Sequence, residues 1–167
     1  MIKIAENIIK FGQEVAAKVG NYEAEMFDVG VYNQIQDRNI ASPIEQLVFM
    51  AINCHARIFR LGLKVDPQFE IGKYRVDFKV SYYRNEGDSQ SSKTVLVECD
   101  SQQFHERSES ERRYEKQRDR DLQKCGYKIF RFTGSEITKD PYKISSEILE
   151  YLTGISQSEI KSSLENL

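Results

Sequence analysis

Asp77, Glu98 and Asp100 are the residues best able to do chemistry in this chain, because each is a carboxylate set against an apolar, strand-like run. Asp77 interrupts Tyr74-Arg75-Val76-Asp77-Phe78-Lys79-Val80, whose alternation reads as a strand, an element in which aspartate is disfavoured. Glu98 and Asp100 follow Val95-Leu96-Val97, and residues two apart on a strand project from the same face. Two neighbouring strands could therefore present three carboxylates to one point. Like charges so placed repel, and a divalent cation that prefers oxygen ligands relieves the repulsion, Mg2+ above all and Mn2+ as the alternative.

Every candidate also has a structural reading. Asp77 and Glu98 could be surface acids at strand ends, or partners of Arg75 and Lys79. Glu45 stands three residues after Ser42 in Ser42-Pro43-Ile44-Glu45, so a capping box at a helix start accounts for it as fully as a place at the metal does. His105 could ligate metal, move a proton or meet phosphate, or be a cap at a strand-to-helix junction. His55, inside an amphipathic helix with no partner at ligand spacing, reads as structural. Cys99 alternates away from its acidic neighbours, toward the core, which disfavours thiol catalysis. Cys54, Cys99 and Cys125 are odd in number and form no CxxC pair, so neither a disulfide framework nor a zinc site is expected.

The elements that must position these groups follow from periodicity. Ile2, Ala5, Ile8, Ile9, Gly12, Val15, Ala16 and Val19 predict an amphipathic helix ending at Gly20, with connecting structure from Asn21 to Ala41. A second helix runs from Ser42 to about Gly62. Strands are expected around Val65 to Ile71, Tyr74 to Tyr83 and Lys93 to Asp100, with the polar segment Asn85 to Ser92 as a hairpin loop. The charge-dense stretch Glu106 to Cys125 reads as a helix, Tyr127 to Phe132 as a last strand, and the segment after Asp140-Pro141 as a final helix before a loosely attached polar end from Ser156. Three parts result: an N-terminal addition over 1–41, a main domain over 42–153 and a tail over 154–167.

A net charge of −2 speaks against a simple basic nucleic-acid binder, yet the charge is unevenly spread. Residues 46–133 carry 17 basic and 13 acidic groups, and both ends are acidic. Metal bound at the acids would leave that middle still more attractive to phosphates. No apolar run approaches a membrane span and the N-terminus lacks the features of a signal peptide, so a soluble protein of the reducing cytoplasm is expected.

Read in order, Ser42-Pro43-Ile44-Glu45, Gln68, Ile71-Gly72, Tyr74-Arg75-Val76-Asp77-Phe78, Glu98-Cys99-Asp100, Phe104-His105-Glu106-Arg107, Arg118-Asp119-Arg120, Leu122, Gly126-Tyr127 and Arg131 to Ile137 resemble the PD-(D/E)xK restriction-endonuclease-like superfamily. Within it, the set is similar to the branch akin to very-short-patch-repair endonucleases. The resemblance implies an α/β core of helix, three strands, helix and strand, with a mixed central sheet flanked by helices. It implies a Mg2+-dependent endonuclease or nickase in which Asp77 and Glu98 hold the metal and Glu45 supports it through water, with Asp100 and His105 beside them.

Asp100 stands where the superfamily carries lysine, which leaves Gln103, His105 or Lys116 to orient the attacking water. Arg118 would meet phosphate or else hold Glu98 and Asp100; Asp119 would be a structural partner; Arg131 would contact phosphate or form an internal ion pair. Arg107, Gln103 and Lys116 complete the expected nucleic-acid contacts. The substrate is expected to be DNA in preference to RNA, with a homodimer or a protein partner supplying specificity. The contrasting reading is a fold that has lost turnover and serves as a nucleic-acid-binding or interaction module.

Overall fold

The structure is a computed structural model and describes Ile35, Ile40 and residues 42–84, 92–100 and 108–165. The expected N-terminal helix and most of its connecting segment, the hairpin loop over 85–91, and Gln103, His105 and Arg107 lie outside the described residues. The described chain runs α1 (Pro43–Ile58), β1 (Leu63–Ile71), β2 (Tyr74–Tyr83), β3 (Ser92–Asp100), α2 (Glu109–Lys124), β4 (Lys128–Thr133), α3 (Gly134–Lys139), α4 (Pro141–Thr153) and α5 (Gln157–Glu165).

The strands form one sheet in the order β1-β2-β3-β4. The first three are an antiparallel meander, and β4 returns parallel to β3. A parallel neighbour needs a crossover, and α2 supplies it. The sheet is thus mixed and flanked by helices, the restriction-endonuclease-like arrangement the sequence implied.

Two cores explain which residues became which element. On one face Val65, Phe78, Val80, Val95, Val97 and Phe132 pack against α1 and α4. Helix α1 buries Leu47 through Ile52 almost without interruption, as a helix enclosed on several sides must. On the other face Leu122, the one buried residue of charge-dense α2, closes a smaller core over Tyr74, Val76 and Leu96.

Alternation along the hairpin reverses in mid-strand. Val65, Phe78 and Val80 face the first core, whereas Phe69, Ile71, Tyr74 and Val76, of the same parity, serve the second. Strict alternation would put both sets on one side. The switch falls at Gln68 and Asp77, which lie between the register pairs Pro67↔Phe78 and Phe69↔Val76. Gln68 has φ of 49°, a left-handed conformation that costs a residue with a Cβ about 1–2 kcal/mol.

Three local expectations need correction. Ser42 accepts no side-chain bond from the amides of α1, so the capping box with Glu45 does not form there. True capping boxes sit instead at Ser108 with Glu111, opening α2, and at Thr133 with Glu136, opening the unanticipated α3. The end of the chain is also more than a loose polar tail: α5 buries Ile160, and Gln157 donates to Glu150 of α4 at 2.6 Å. Among the described residues, no helix is long and apolar enough to cross a membrane.

Candidate active site

The carboxylates collect where β2 and β3 part. Their ladder ends at Phe78↔Val97, one residue short of Asp77 on one strand and of Glu98 on the other. The amide of Cys99, freed from the ladder, donates to Asp77 Oδ2 at 2.7 Å and fixes the aspartate against β3. Asp77 therefore lies inside β2, not at its end, and reaches the cluster because the strands diverge beside it.

Glu45 comes to the same place from the first turn of α1. Its Oε2 accepts a bond from Gln68 Nε2 at 2.8 Å, and Asp77 is near enough to push its pKa up. Burial is the larger cause of that rise. The left-handed backbone at Gln68 thus does two things: it reverses the side of the hairpin and turns an amide onto Glu45.

Burial likewise raises the pKa of Asp77, outweighing the Cys99 amide and the Arg118 guanidinium, which favour its charged form. It raises Glu98 in the same way, with Asp77 adding to the rise and Arg118 opposing it. Burial is the first cause of all three shifts, and Asp77 adds to those of Glu45 and Glu98, so these carboxyls stand where the charged form is disfavoured.

Two arginines supply part of that charge. Arg118, from the middle of α2, donates through Nη2 to Glu98 Oε1, and through the same nitrogen to the carbonyl of Arg75 at 2.7 Å. The ion pair is enclosed, with 11% and 12% of the two side chains exposed. Arg131 of β4, the register partner of Glu98, donates to Asp119 Oδ1 at 2.5 Å and lies 4.0 Å from Asp100 Oδ2. Consecutive residues of α2, Arg118 and Asp119, are thereby matched to an acid and a base side by side on β3 and β4. In this structure Arg118 is paired with Glu98, and Arg131 with Asp119.

Lys116 is not brought into this cluster. It is exposed on α2, and two positions from Arg118 it faces another way. Cys99 packs partly against the first core, and burial followed by the charges of Asp77 and Glu45 drives its thiol far above the ordinary range, as expected for an inert sulfur. His55 is fully buried and hydrogen-bonded to Ser145, away from the acids. Gln68 and the Arg75 carbonyl were missed as site groups. A signal for Gln68 existed: a tight turn at Gly72-Lys73 places residues 68 and 77 directly opposite each other.

Carboxylate oxygens suit a hard divalent cation, and Asp77 and Glu98 are the groups that could hold one, with Glu45 beside Asp77. The coordination shell is not assembled, however. Among the described residues no three His, Cys, Asp or Glu side chains form a group ready to hold a metal ion, and Glu98 is engaged by Arg118.

No match is found among curated proteins or among solved structures. One family model matches, REase_MTES_1575, over residues 49–152, a span that holds the whole sheet, Asp77, Glu98, Asp100, Arg118 and Arg131. The chain belongs to this restriction-endonuclease-like family, and through it to the PD-(D/E)xK-like superfamily.

Proposed function

We propose that the chain hydrolyses phosphodiester bonds in DNA, as an endonuclease or nickase, with Mg2+ or Mn2+ held by Asp77 and Glu98. The observation that carries this reading is the convergence of Asp77, Glu98 and Glu45 from three different elements on the fork between β2 and β3, at a cost in backbone strain at Gln68. A bound cation supplies Lewis acidity that offsets charge developing on the phosphate. The chain's own contribution is positional. The Cys99 amide orients Asp77, Gln68 orients Glu45, and Arg118 and Arg131 border the carboxylates with positive charge suited to phosphate oxygens. Asp100, on the same face as Glu98, is assigned to the metal side of the cluster, and Gln103 or His105 to the attacking water.

A second reading, a nucleic-acid-binding module without turnover, draws support from the Arg118–Glu98 pair and from aspartate at the position of the superfamily's lysine. Incubation of the purified protein with supercoiled plasmid, single-stranded DNA and RNA, each with Mg2+, Mn2+ or EDTA, separates the readings. Cleavage of DNA that EDTA abolishes is the expected result. Retention of all three without cleavage favours the module, and cutting of RNA alone moves the substrate class. Cutting both strands requires two such sites, so a homodimer or successive nicks is part of the proposal. The free cysteines fit a cytoplasmic setting.

A further inference from the structure

We propose that Arg118 couples the binding of metal to the binding of nucleic acid, by competing with the cation for Glu98 until a phosphate draws the guanidinium away. This deepens the nuclease reading and rests on it.

Three observations lead here. Arg118 and a cation would both need the carboxylate of Glu98, and the guanidinium already has it. The pair is nearly closed to solvent, so water does little to weaken it. Arg118 is nonetheless lightly tied: both its bonds leave from Nη2, while Nη1 and Nε have no partner among the described residues. A guanidinium is a fork that matches phosphate as well as carboxylate, and among the described residues two of its nitrogens have no partner to give up before the exchange begins.

The charges fit such an exchange. Among the described residues Glu45, Asp77, Glu98, Asp100 and Asp119 face Arg75, Arg118 and Arg131, an excess of acid over base even with Arg118 in place. When a phosphate takes Arg118, Glu98 loses its counter-charge at the moment the phosphate itself favours a cation nearby. By linkage, each ligand then raises the affinity of the other by the same factor.

The test is Mn2+ binding, followed by electron paramagnetic resonance of the free ion, with and without a phosphorothioate oligodeoxynucleotide that resists hydrolysis. The wild-type protein should bind Mn2+ about 10-fold more tightly with the oligonucleotide present, within the usual range of coupling between sites. Arg118→Gln should bind Mn2+ without oligonucleotide more tightly than wild type does, and its coupling should fall to about 2-fold or less. Arg118→Met provides the same comparison if the glutamine variant fails to fold. Arg112→Gln, which removes a charge from the exposed face of the same helix, should keep the wild-type coupling.

Weaker or unchanged metal binding by Arg118→Gln alone overturns the proposal, because it would make Arg118 a support for Glu98 and not its competitor. Full coupling in that variant overturns it too, since phosphate would then be acting on the metal directly. Absence of coupling in a wild-type protein that binds both ligands overturns it without any variant. Failure of the wild-type protein to bind either ligand removes the nuclease reading along with it.

Discussion

His55 should make the stability of this protein fall as pH drops below neutrality. Its ring is wholly buried beside Phe59 and Tyr142. Ser145 donates its hydroxyl to the Ala51 carbonyl, so Nδ1 of His55 must carry the proton it shares with Ser145 Oγ at 2.9 Å. Nε2 is then a lone pair with no partner among the described residues. Protonating it would create a buried cation, and burial accordingly lowers the pKa from 6.5 to about 4, against an opposing effect from Asp140.

The unfolded chain takes up this proton first, so stability is full above the unfolded value of 6.5 and is lost progressively as pH falls toward 4. Over the whole window the loss is about 3 kcal/mol, and about 2 kcal/mol of it falls between neutrality and pH ~5. Glu45, Asp77 and Glu98, with raised pKa values, act in the opposite direction. Urea unfolding of wild type and His55→Gln at both pH values removes their effect, because they are common to the two proteins. The variant should lose about 2 kcal/mol less than wild type on acidification. Equal losses would refute the assignment of a neutral, Nδ1-protonated ring.

Further outcomes concern the site. Gln68→Gly and Gln68→Ala both remove the bond to Glu45, but only glycine accepts the left-handed backbone without strain, so urea unfolding should show the glycine variant more stable by about 1 kcal/mol. Asp100→Asn should raise the Mg2+ concentration needed for half-maximal cleavage, as loss of a charge from the metal's side does; if maximal rate and metal requirement are both unaltered, Asp100 is only a neighbour of Arg131.

Much of the frame was legible because its cause is local. The apolar alternation of Tyr74 to Val80, the run Val95 to Val97 and the stripe from Leu47 to Ile52 mark β2, β3 and α1 in the sequence itself. Asp77 and Glu98 stood out for the same reason, as acids where strands disfavour them. What stayed hidden depends on tertiary placement. Ser42-Pro43-Ile44-Glu45 satisfies the capping pattern, yet Ser42 caps no helix amide, and Gln68, 23 residues later, shares the Glu45 carboxylate with the Ser42 side chain. The role of Arg118 is set by how α2 lies over the second core through Leu122, which no spacing within the helix announces. Helix α3 has a local signal in the capping box of Thr133 and Glu136, but its six residues are too few to show a helical periodicity.

If Asp77 and Glu98 form a metal-dependent hydrolytic centre, single-turnover cleavage of DNA must distinguish wild type from Asp77→Asn. The substitution removes one ligand charge while leaving an oxygen to accept from the Cys99 amide, so the fold and metal-free DNA binding should persist. The cleavage rate at saturating Mg2+ should fall by about 10²-fold or more. Cleavage by Asp77→Asn at the wild-type rate, in a preparation free of other nucleases, would contradict it.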